Sequence, residues 1–253
     1  MTNQLDFISG YAHICIDPED IQSEFWDSSY NKIKHPKSAP SYKSVIEFFA
    51  DIDPVKIAEY EEYWETIAPK NDSDFFKRWL FAFMSVHTSW KANIAGYNAI
   101  KNWWLWLNRP EKLLEDIKNS AVGMHNLRVK FISEFAHKFW ENPSNYRKTS
   151  VESWSEFRDR LQNGTLGLGA AKTSFALEMC YPNSAEVVCL DTHMFQAYAL
   201  DQTKDAKQYR ELENHWVDMC SMRNVSPYIA RCIYWDKKQN KDSSKYWSHV
   251  LEN

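Results

Sequence analysis

A glycine turn that leads directly into a helix limits what this chain can form more than any other feature of the sequence. The turn is Gly167-Leu168-Gly169, and the residues from Ala170 to about Cys180 predict a helix that stops before Pro182. Glycine permits the tight backbone because it has no Cβ, and the first amides of the helix have no partners within it. Such a helix end is electropositive and binds phosphate without a positive side chain.

Helical periodicity dominates the rest of the chain, and the alternation typical of strands is nearly absent. We therefore expect an all-α fold of one domain or two closely packed lobes. Helices are predicted at about 53–68, 74–87, 90–107, 110–120, 125–140, 151–162 and 170–180, then from Asp191, with two or three more within 206–252. Only Val187 to Leu190 is predicted to be extended, and the polar segment from Glu141 to Lys148 is predicted to be the most flexible loop.

The formal charge of −4 argues against binding of a polyanion through a large positive field. Local basic patches would have to supply such contacts, although each patch is more simply a solvated helix end or loop. The patches are the segments 32–37 and 146–148 and the lysines Lys237, Lys238, Lys241 and Lys245. Most of the 12 Trp residues, including Trp103, Trp104 and Trp106, are expected to pack in the core or at an interface, because a soluble protein rarely exposes so many indoles.

Three motifs follow one another between Gly164 and Phe195. Leu166 to Gly169 is the hairpin, Lys172-Thr173-Ser174 comes next, and an extended apolar run ends in Leu190-Asp191-Thr192-His193. This order resembles the helix-hairpin-helix DNA glycosylases, the superfamily of endonuclease III and of the 8-oxoguanine and 3-methyladenine glycosylases. Its hairpin reads Leu-Pro-Gly-apolar-Gly, and its apolar run ends in Val-Asp-Thr-His. The resemblance implies an all-α fold of two helical lobes, with a helix-hairpin-helix motif and a DNA-binding cleft between the lobes.

Two further stretches extend the resemblance from about residue 76 to about residue 200. The segment 83–89 resembles the family's Leu-Ser-x-Gln-Thr helix end, whose polar residue enters the duplex beside the extruded base. The segment 123–130 resembles Gly-Leu-Tyr-Asn-x-Lys-Ala, a turn that wedges the opposite strand. His87 stands in place of the glutamine and His125 in place of the tyrosine, which leaves room for an unusual base. The implied organisation is a core at 76–200, N-terminal helices at 1–75 packed on it, and C-terminal helices at 201–253 that complete the second lobe.

Asp191 is the first candidate catalytic residue. Cleavage of an N-glycosidic bond builds oxocarbenium-like charge on the deoxyribose, and a fixed carboxylate in a dry cleft stabilises that charge. The resemblance assigns this role to the aspartate of Asp-Thr-His. An aspartate before Thr-His and an apolar helix is also a good N-cap, and the two interpretations are compatible.

Lys172 is the second candidate, and two interpretations of it stay open. Bifunctional members of the family use a lysine just after the hairpin as an amine nucleophile that forms a Schiff base. Here Ala170 and Ala171 separate Gly169 from Lys172, whereas the usual hairpin has one residue in that place. A slip of one residue turns a helical side chain by about 100°. In that case Lys172 contacts phosphate or solvent, and Ala171 occupies the position of the nucleophile.

The resemblance also implies a monomer that binds double-stranded DNA. The expected DNA-binding residues are Gly167, Leu168, Gly169, Ala170, Ala171, Thr173, His87, Thr88, His125, Asn126, Arg128 and His193. No metal is expected, because the histidines lie in separate segments without ligand spacing. No cofactor is expected either, since the scattered cysteines lack the closely spaced set that holds an iron–sulfur cluster in some relatives; a monovalent ion at the hairpin is compatible with this.

The sequence shows neither a signal peptide nor an apolar run near the roughly 18 residues of a membrane helix. We therefore expect no membrane partner and a cytoplasmic or nucleoid-associated location, in a bacterial or phage-infected cell. Three functions stay open. The favoured one is a glycosylase that cleaves the N-glycosidic bond of a flipped damaged or modified base, with or without lyase activity. A second is a phage enzyme that modifies a DNA base, as the alpha-glutamyl/putrescinyl thymine pyrophosphorylases are proposed to do on this fold. A third is a non-catalytic module that binds distorted DNA.

Overall fold

The computed structural model describes residues 43–120 and 122–240, and the regular structure in this part of the chain is helical. The first six α-helices are α1 (Lys43–Ala50), α2 (Pro54–Thr66), α3 (Asp72–Met84), α4 (Trp90–Ile100), α5 (Pro110–Asn119) and α6 (His125–Glu141). After them come α7 (Trp154–Gly164), α8 (Ala170–Cys180), α9 (Thr192–Ala197), α10 (Tyr209–Met222) and α11 (Pro227–Gln239). Short 3-10 helices cover Trp103–Leu105, Pro143–Tyr146 and Ala206–Gln208. The all-α prediction is confirmed for these residues, and no helix among them is both long and apolar enough to cross a bilayer.

Capping residues set where several of the helices begin. Asp53 accepts a hydrogen bond from the amide of Val55 at the start of α2, where Pro54 occupies the first turn. Ser153 and Glu156 form a capping box at the start of α7, in which each side chain bonds to the backbone of the other residue. These local signals explain why the predicted starts of the helices lie within a few residues of the observed ones.

The helix predicted from Trp90 to Leu107 ends earlier, at Ile100. The indole Nε1 of Trp106 donates a 2.7 Å hydrogen bond to the carbonyl of Ile100 and so takes one of the acceptors left open at a helix end. Trp106 is buried and Trp103 is partly buried against the core. Trp104 is 56% exposed and does not pack in the core, so for this residue only packing at an interface stays a prediction.

The first lobe is built around α3, which is buried over most of its length. Phe76 and Trp79 of this helix pack on Phe135 of α6, with ring centroids 5.6 and 5.2 Å apart. Tyr146 joins the same cluster, 5.2 Å from the ring of Phe135. The segment from Glu141 to Lys148, predicted to be the most flexible loop, contains a 3-10 helix, and its buried Tyr146 packs on the aromatic core.

The second lobe combines helices from both ends of the described chain. Phe48 of α1 stacks on Trp216 of α10, with centroids 5.9 Å apart and ring planes at 11°. Trp64 of α2 packs edge-on against Tyr228 of α11, with centroids 4.8 Å apart. The hydroxyl of Tyr60 on α2 also donates a hydrogen bond to Asp236 of α11. Helices that are far apart in the sequence therefore share one core.

Helix α8 lies between the lobes. It packs against α3 and α7, and every residue from Thr173 to Cys180 is buried. Two ion pairs then reach the second lobe, one from Glu178 of α8 to Arg231 of α11 and one from Arg158 of α7 to Glu213 of α10. All four side chains are 7% exposed or less. Charges buried to this degree are tolerated in proteins only when they are paired and hydrogen-bonded.

The aromatic core of the first lobe predicts unequal costs for two tryptophan truncations. Trp79→Ala removes a side chain with no exposed surface and should lower the free energy of unfolding by about 3–5 kcal/mol, because it leaves a cavity. Trp104→Ala, at the exposed position, should change it by less than about 0.5 kcal/mol. Urea unfolding followed by circular dichroism measures both. Similar losses in the two variants would contradict the burial described for this lobe.

Candidate active site

The hairpin between α7 and α8 requires glycine at position 167, whereas position 169 has space for a side chain. Gly167 has a φ of +86°, and a Cβ there would lie 2.3 Å from the ring of Phe131 on α6. Gly169 has extended backbone, and a Cβ there would meet no atom within 4 Å. The turn is therefore fixed against α6 through Gly167 and accessible at Gly169.

The start of α8 is a helix N-terminus without a side-chain cap. Gly169 occupies the N-cap position and has no side chain to offer. Within the described chain, the amides of Ala170 and Ala171 bond to no acceptor, whereas those of Lys172 and Thr173 bond to the carbonyl of Gly169. Two neighbouring free amides at the positive end of a helix form a site for an anionic oxygen.

The predicted extended segment, Val187 to Leu190, is buried and has no neighbouring strand among the described residues, so side chains take its backbone hydrogen bonds. The amide of Val188 donates to Glu213 at 2.9 Å, and the amide of Cys189 donates to Glu178 at 3.0 Å. The buried carboxylates replace the partners that a sheet would provide.

The same two carboxylates form the ion pairs between the lobes. Glu213 accepts from Arg158, and Glu178 accepts from Arg231. Burial by itself lowers the pKa of Arg231, but the adjacent Glu178 carboxylate raises it well above its usual value, so the guanidinium stays charged. Each carboxylate thus binds an arginine and a backbone amide at once, which fixes the course of the chain as it enters Asp191.

Asp191 is the N-cap of α9. Its Oδ1 accepts hydrogen bonds from the amides of His193 and Met194, at 2.9 and 3.0 Å. Its Oδ2 accepts no hydrogen bond from the part of the chain that the structure describes. The side chain is half-buried and lines a cavity. The carboxylate therefore caps a helix through one oxygen and keeps the other unbonded.

A cavity of about 540 Å³ brings the two candidate catalytic residues together. Its wall combines the α3–α4 connection and α4 from the first lobe, α8 between the lobes, and α9 and α11 from the second lobe. The lining residues are Ser85, Thr88, Ser89, Trp90, Asn93, Lys172, Phe175, Cys189, Asp191, His193, Arg231, Cys232, Trp235 and Gln239. The volume lies in the range of small-molecule sites and is large enough for a nucleobase.

Lys172 lines this cavity, and Ala171 does not. Its Nζ lies 5.5 Å from the centre of the Phe175 ring, which belongs to the same wall. No carboxylate of the described chain lies within 4.0 Å of this ammonium group, so Lys172 and Asp191 share a cavity without forming a salt bridge. The interpretation in which Ala171 takes the place of the lysine does not match this arrangement.

The cysteines of the cavity wall are poor nucleophiles. Burial raises the pKa of Cys189 and of Cys232 to about 12, so both thiols stay protonated near neutral pH. Cys180 and Cys220 are also buried and free, and Cys15 lies outside the described residues. No group of three or more His, Cys, Asp or Glu side chains within the described ranges is placed to hold a metal ion.

The fold, though not the sequence, matches known proteins. No protein-family model matches the chain, and no curated protein is significantly similar to it. An 8-oxoguanine DNA glycosylase from Methanocaldococcus jannaschii superposes with a TM-score of 0.61 at 19% identity, over 74% of this chain and 88% of that one. The 8-oxoguanine glycosylase/lyase of that organism, in complex with a 15mer DNA containing 8-oxoguanine, gives 0.60 at 18% identity, over 79% and 97%. The 8-oxoguanine DNA glycosylase of Thermotoga maritima gives 0.60 at 15% identity, over 80% and 98%.

The chain therefore shares its fold with these 8-oxoguanine DNA glycosylases. Identities below a fifth establish shared architecture and leave activity to the residues of the site.

Within this glycosylase fold, Arg128 is a structural residue. It is 5% exposed, and its guanidinium donates to the carbonyls of Gly123 and Phe83 at 2.8 and 2.6 Å and to Thr88 Oγ1 at 2.7 Å. The prediction of a DNA contact is wrong for Arg128, because its donors are buried and used within the protein. The arginine instead ties the turn before α6 to the end of α3, which brings the segments of His87 and His125 together.

Two predicted contacts of the hairpin are also corrected. The side chain of Thr173 has no exposed surface, because it lies on the buried face of α8, so it cannot reach DNA. Leu168 is 5% exposed and packs into the core, which leaves only its backbone for a ligand. The exposed part of the hairpin is formed by Leu166, Gly167 and Gly169, with Ala170 and Ala171 half-buried beside them.

The other predicted DNA-binding residues lie at the surface. His87 is exposed with a φ of 47°, and the neighbouring Thr88 is half-buried in the cavity wall. His125 is half-buried and Asn126 exposed in the first turn of α6. His193 is exposed, lines the cavity and packs edge-on against Trp235, with ring centroids 4.7 Å apart.

Sequence reasoning missed two groups of residues near the site. Met124 and Leu127, at the start of α6, are 46% and 48% exposed. The only signal in the sequence for their exposure was their position close to His125. Asn93 and Trp235 line the cavity from α4 and α11, where no motif marks them.

In each of the two described basic patches, one residue pairs with an acidic side chain. Arg147 pairs with Asp72 at 2.6 Å, and Lys237 lies 4.0 Å from Asp51. The segment 32–37 and the lysines Lys241 and Lys245 lie outside the described residues.

Glu178 bonds to both Arg231 and the amide of Cys189, so its removal should lower the stability of the protein and loosen the segment around Cys189. Glu178→Leu leaves Arg231 buried without a counter-ion and the Cys189 amide without an acceptor, and should lower the free energy of unfolding by about 3–5 kcal/mol. Glu134→Leu removes an exposed helical pair with Lys138 and should cost about 0.5 kcal/mol or less. Chemical unfolding measures both changes.

Hydrogen exchange provides a second measurement of the same prediction. The amides of Val187 to Leu190 should exchange faster in Glu178→Leu and at the wild-type rate in Glu134→Leu. Equal protection of this segment in the two variants would show that the carboxylate does not hold it.

Proposed function

We propose that this protein is a DNA glycosylase that removes a damaged or modified base from double-stranded DNA, with lyase activity through Lys172. The observation that carries the proposal is that Lys172 and Asp191 line one cavity, and that Lys172 lies in the first turn of α8, whose N-terminus has no side-chain cap. The likeness in fold to 8-oxoguanine DNA glycosylases, one of them in complex with DNA, supports the class of reaction. 8-Oxoguanine is accordingly the first substrate to test.

The surface around the cavity suits a distorted duplex. The free amides of Ala170 and Ala171 bind a phosphate of the strand that carries the target nucleotide. The exposed apolar side chains of Met124 and Leu127 fill the space that an extruded base leaves in the stack. Extrusion costs a few kcal/mol and is least costly for mispaired or damaged bases, which favours them as substrates.

Lys172 acts as the nucleophile after its ammonium group has given one proton to water. The amine lone pair forms a bond to C1′, the bond from C1′ to the base breaks, and the base leaves with that electron pair and takes up the amine proton. Asp191 stabilises the positive charge that develops on the sugar. Opening of the sugar ring yields a Schiff base, from which loss of a C2′ proton expels the 3′ phosphate and nicks the strand.

Release of free base from duplexes that contain 8-oxoguanine, uracil or alkylated purines tests this mechanism. The wild-type protein should release at least one of these bases, and Asp191→Asn should slow the release by about 10²- to 10³-fold. Asparagine is as good an N-cap as aspartate, so the variant keeps α9 and loses only the charge. Borohydride should trap a covalent adduct on an abasic duplex, and Lys172→Ala should abolish the adduct.

Lys91→Ala is the matched control, since Lys91 is an exposed lysine of α4 outside the cavity wall, and it should trap like the wild type. Mass spectrometry of the digested duplex separates the other functions. A heavier intact nucleoside would point to base modification, and tight binding without any turnover would point to a non-catalytic module. Either result contradicts the glycosylase.

The uncapped hairpin predicts a separate effect on DNA affinity. Gly169→Asp places a carboxylate over the free amides, which should keep α8 at least as stable but weaken binding to an abasic duplex by about 10- to 100-fold. Gly164→Asp is the matched control, because it adds the same charge close by, also where a Cβ meets no atom within 4 Å. Fluorescence anisotropy at one salt concentration compares them. An equal loss in both variants would indicate general repulsion and no amide site.

A further inference from the structure

Asn93 lies in the wall of the cavity that Lys172 and Asp191 line, and its carboxamide makes no hydrogen bond within the described chain. It lies on α4, is 2% exposed and belongs to the cavity wall. Its Oδ1 is buried without a hydrogen-bond partner, and no other cavity-lining side chain of the described chain has such an atom. Because buried polar groups in folded proteins are almost always bonded, an exception in a cavity points to a ligand that completes it.

The neighbouring polar groups already have partners. The hydroxyls of Ser85 and Thr88 donate to the backbone carbonyls of Ala82 and Val86, at 2.7 and 2.8 Å. The guanidinium of Arg231 bonds to Glu178. These groups are therefore less available to a ligand than the carboxamide of Asn93.

The rest of the wall suits a flat and uncharged ring. Trp90, Phe175 and Trp235 are aromatic and offer faces or edges to a planar group. The thiols of Cys189 and Cys232 stay neutral because their pKa values are about 12. A planar heterocycle in this cavity is bounded mostly by apolar atoms, with one carboxamide to bond its polar edge.

We propose that Asn93 binds the hydrogen-bonding edge of the extruded base, and that the substrate is an oxidised or deaminated base in which an N–H lies next to a C=O. This inference rests on the proposed glycosylase function. A carboxamide has a donor and an acceptor side by side, which match such a lactam edge in the way that Asn and Gln match paired groups of a base. 8-Oxoguanine, hypoxanthine and uracil have this edge. 3-Methyladenine has no N–H next to a C=O and lacks it.

Asn93→Leu tests the inference, because leucine keeps the size of the side chain and removes both hydrogen bonds. On the lactam base that the wild type excises fastest, kcat/KM should fall by about 10- to 100-fold. Borohydride trapping on an abasic duplex should stay at the wild-type level, since that substrate has no base to bind. Asn98→Leu is the matched control, as Asn98 is an exposed asparagine of the same helix, and it should leave both readouts unchanged.

A change on the substrate tests the same contact without altering the protein. Methylation of the edge N–H, as in 3-methyluracil compared with uracil, should slow excision by the wild type by a similar factor and have little further effect in Asn93→Leu. This comparison decides the matter if Asn93→Leu also loses trapping through misfolding.

The outcomes distinguish a failure of this inference from a failure of the proposed glycosylase function. Wild-type excision rates in Asn93→Leu, indifference of the wild type to methylation, or release of 3-methyladenine alone would overturn the role of Asn93 and leave a glycosylase. A wild-type protein that releases no base and traps no abasic site would overturn the proposed function itself.

Discussion

The carboxylate of Glu178 fixes the geometry on which the rest of the site depends. It lies on α8, the helix that carries Lys172, and it binds both Arg231 of α11 and the amide of Cys189. One buried side chain thereby connects the helix of the amine, the segment that leads to Asp191 and the wall contributed by the second lobe. Because Glu178 and Arg231 are buried, few other groups can replace their hydrogen bonds. The three elements therefore have a defined arrangement before any ligand binds. The contribution of such a pair is specificity of structure more than net stability.

This arrangement also determines which charges are available in the cavity. Arg231 is compensated by Glu178, and the thiols of the wall stay protonated. Lys172 and Asp191 are different, since neither forms an ion pair within the described ranges, although both line the same space. A nucleophilic amine and a stabilising carboxylate can interact with the substrate only if they are not already paired with each other. The separation of structural from uncompensated charges is the strongest chemical argument for catalysis at this position.

The parts of the site that depend on local sequence could be predicted, and those that depend on tertiary packing could not. The hairpin glycines, the bounds of α8 and the N-cap at Asp191 follow from capping and backbone preferences. The burial of Arg128 depends on carbonyls at the end of α3, some forty positions away in the sequence, and no local rule contains them. Asn93 could not be assigned for the same reason, because its unsatisfied state exists only once α8 and α11 close the cavity around it.

Hydrogen bonds from Asn93 would not by themselves distinguish a damaged base from a normal one, so other parts of the site must contribute to that discrimination. A lactam edge is common to undamaged guanine and thymine, so the carboxamide does not separate damaged from normal DNA. Discrimination against normal bases then depends on extrusion, which costs most where pairing and stacking are intact. In the proposed function, the fixed hairpin with its two free amides would hold the strand without regard to sequence. The chain has a net charge of −4, so short-range amide contacts suit the binding of a strand better than a broad positive field does. The net negative charge repels DNA, which disfavours any duplex that does not place a phosphate at the hairpin.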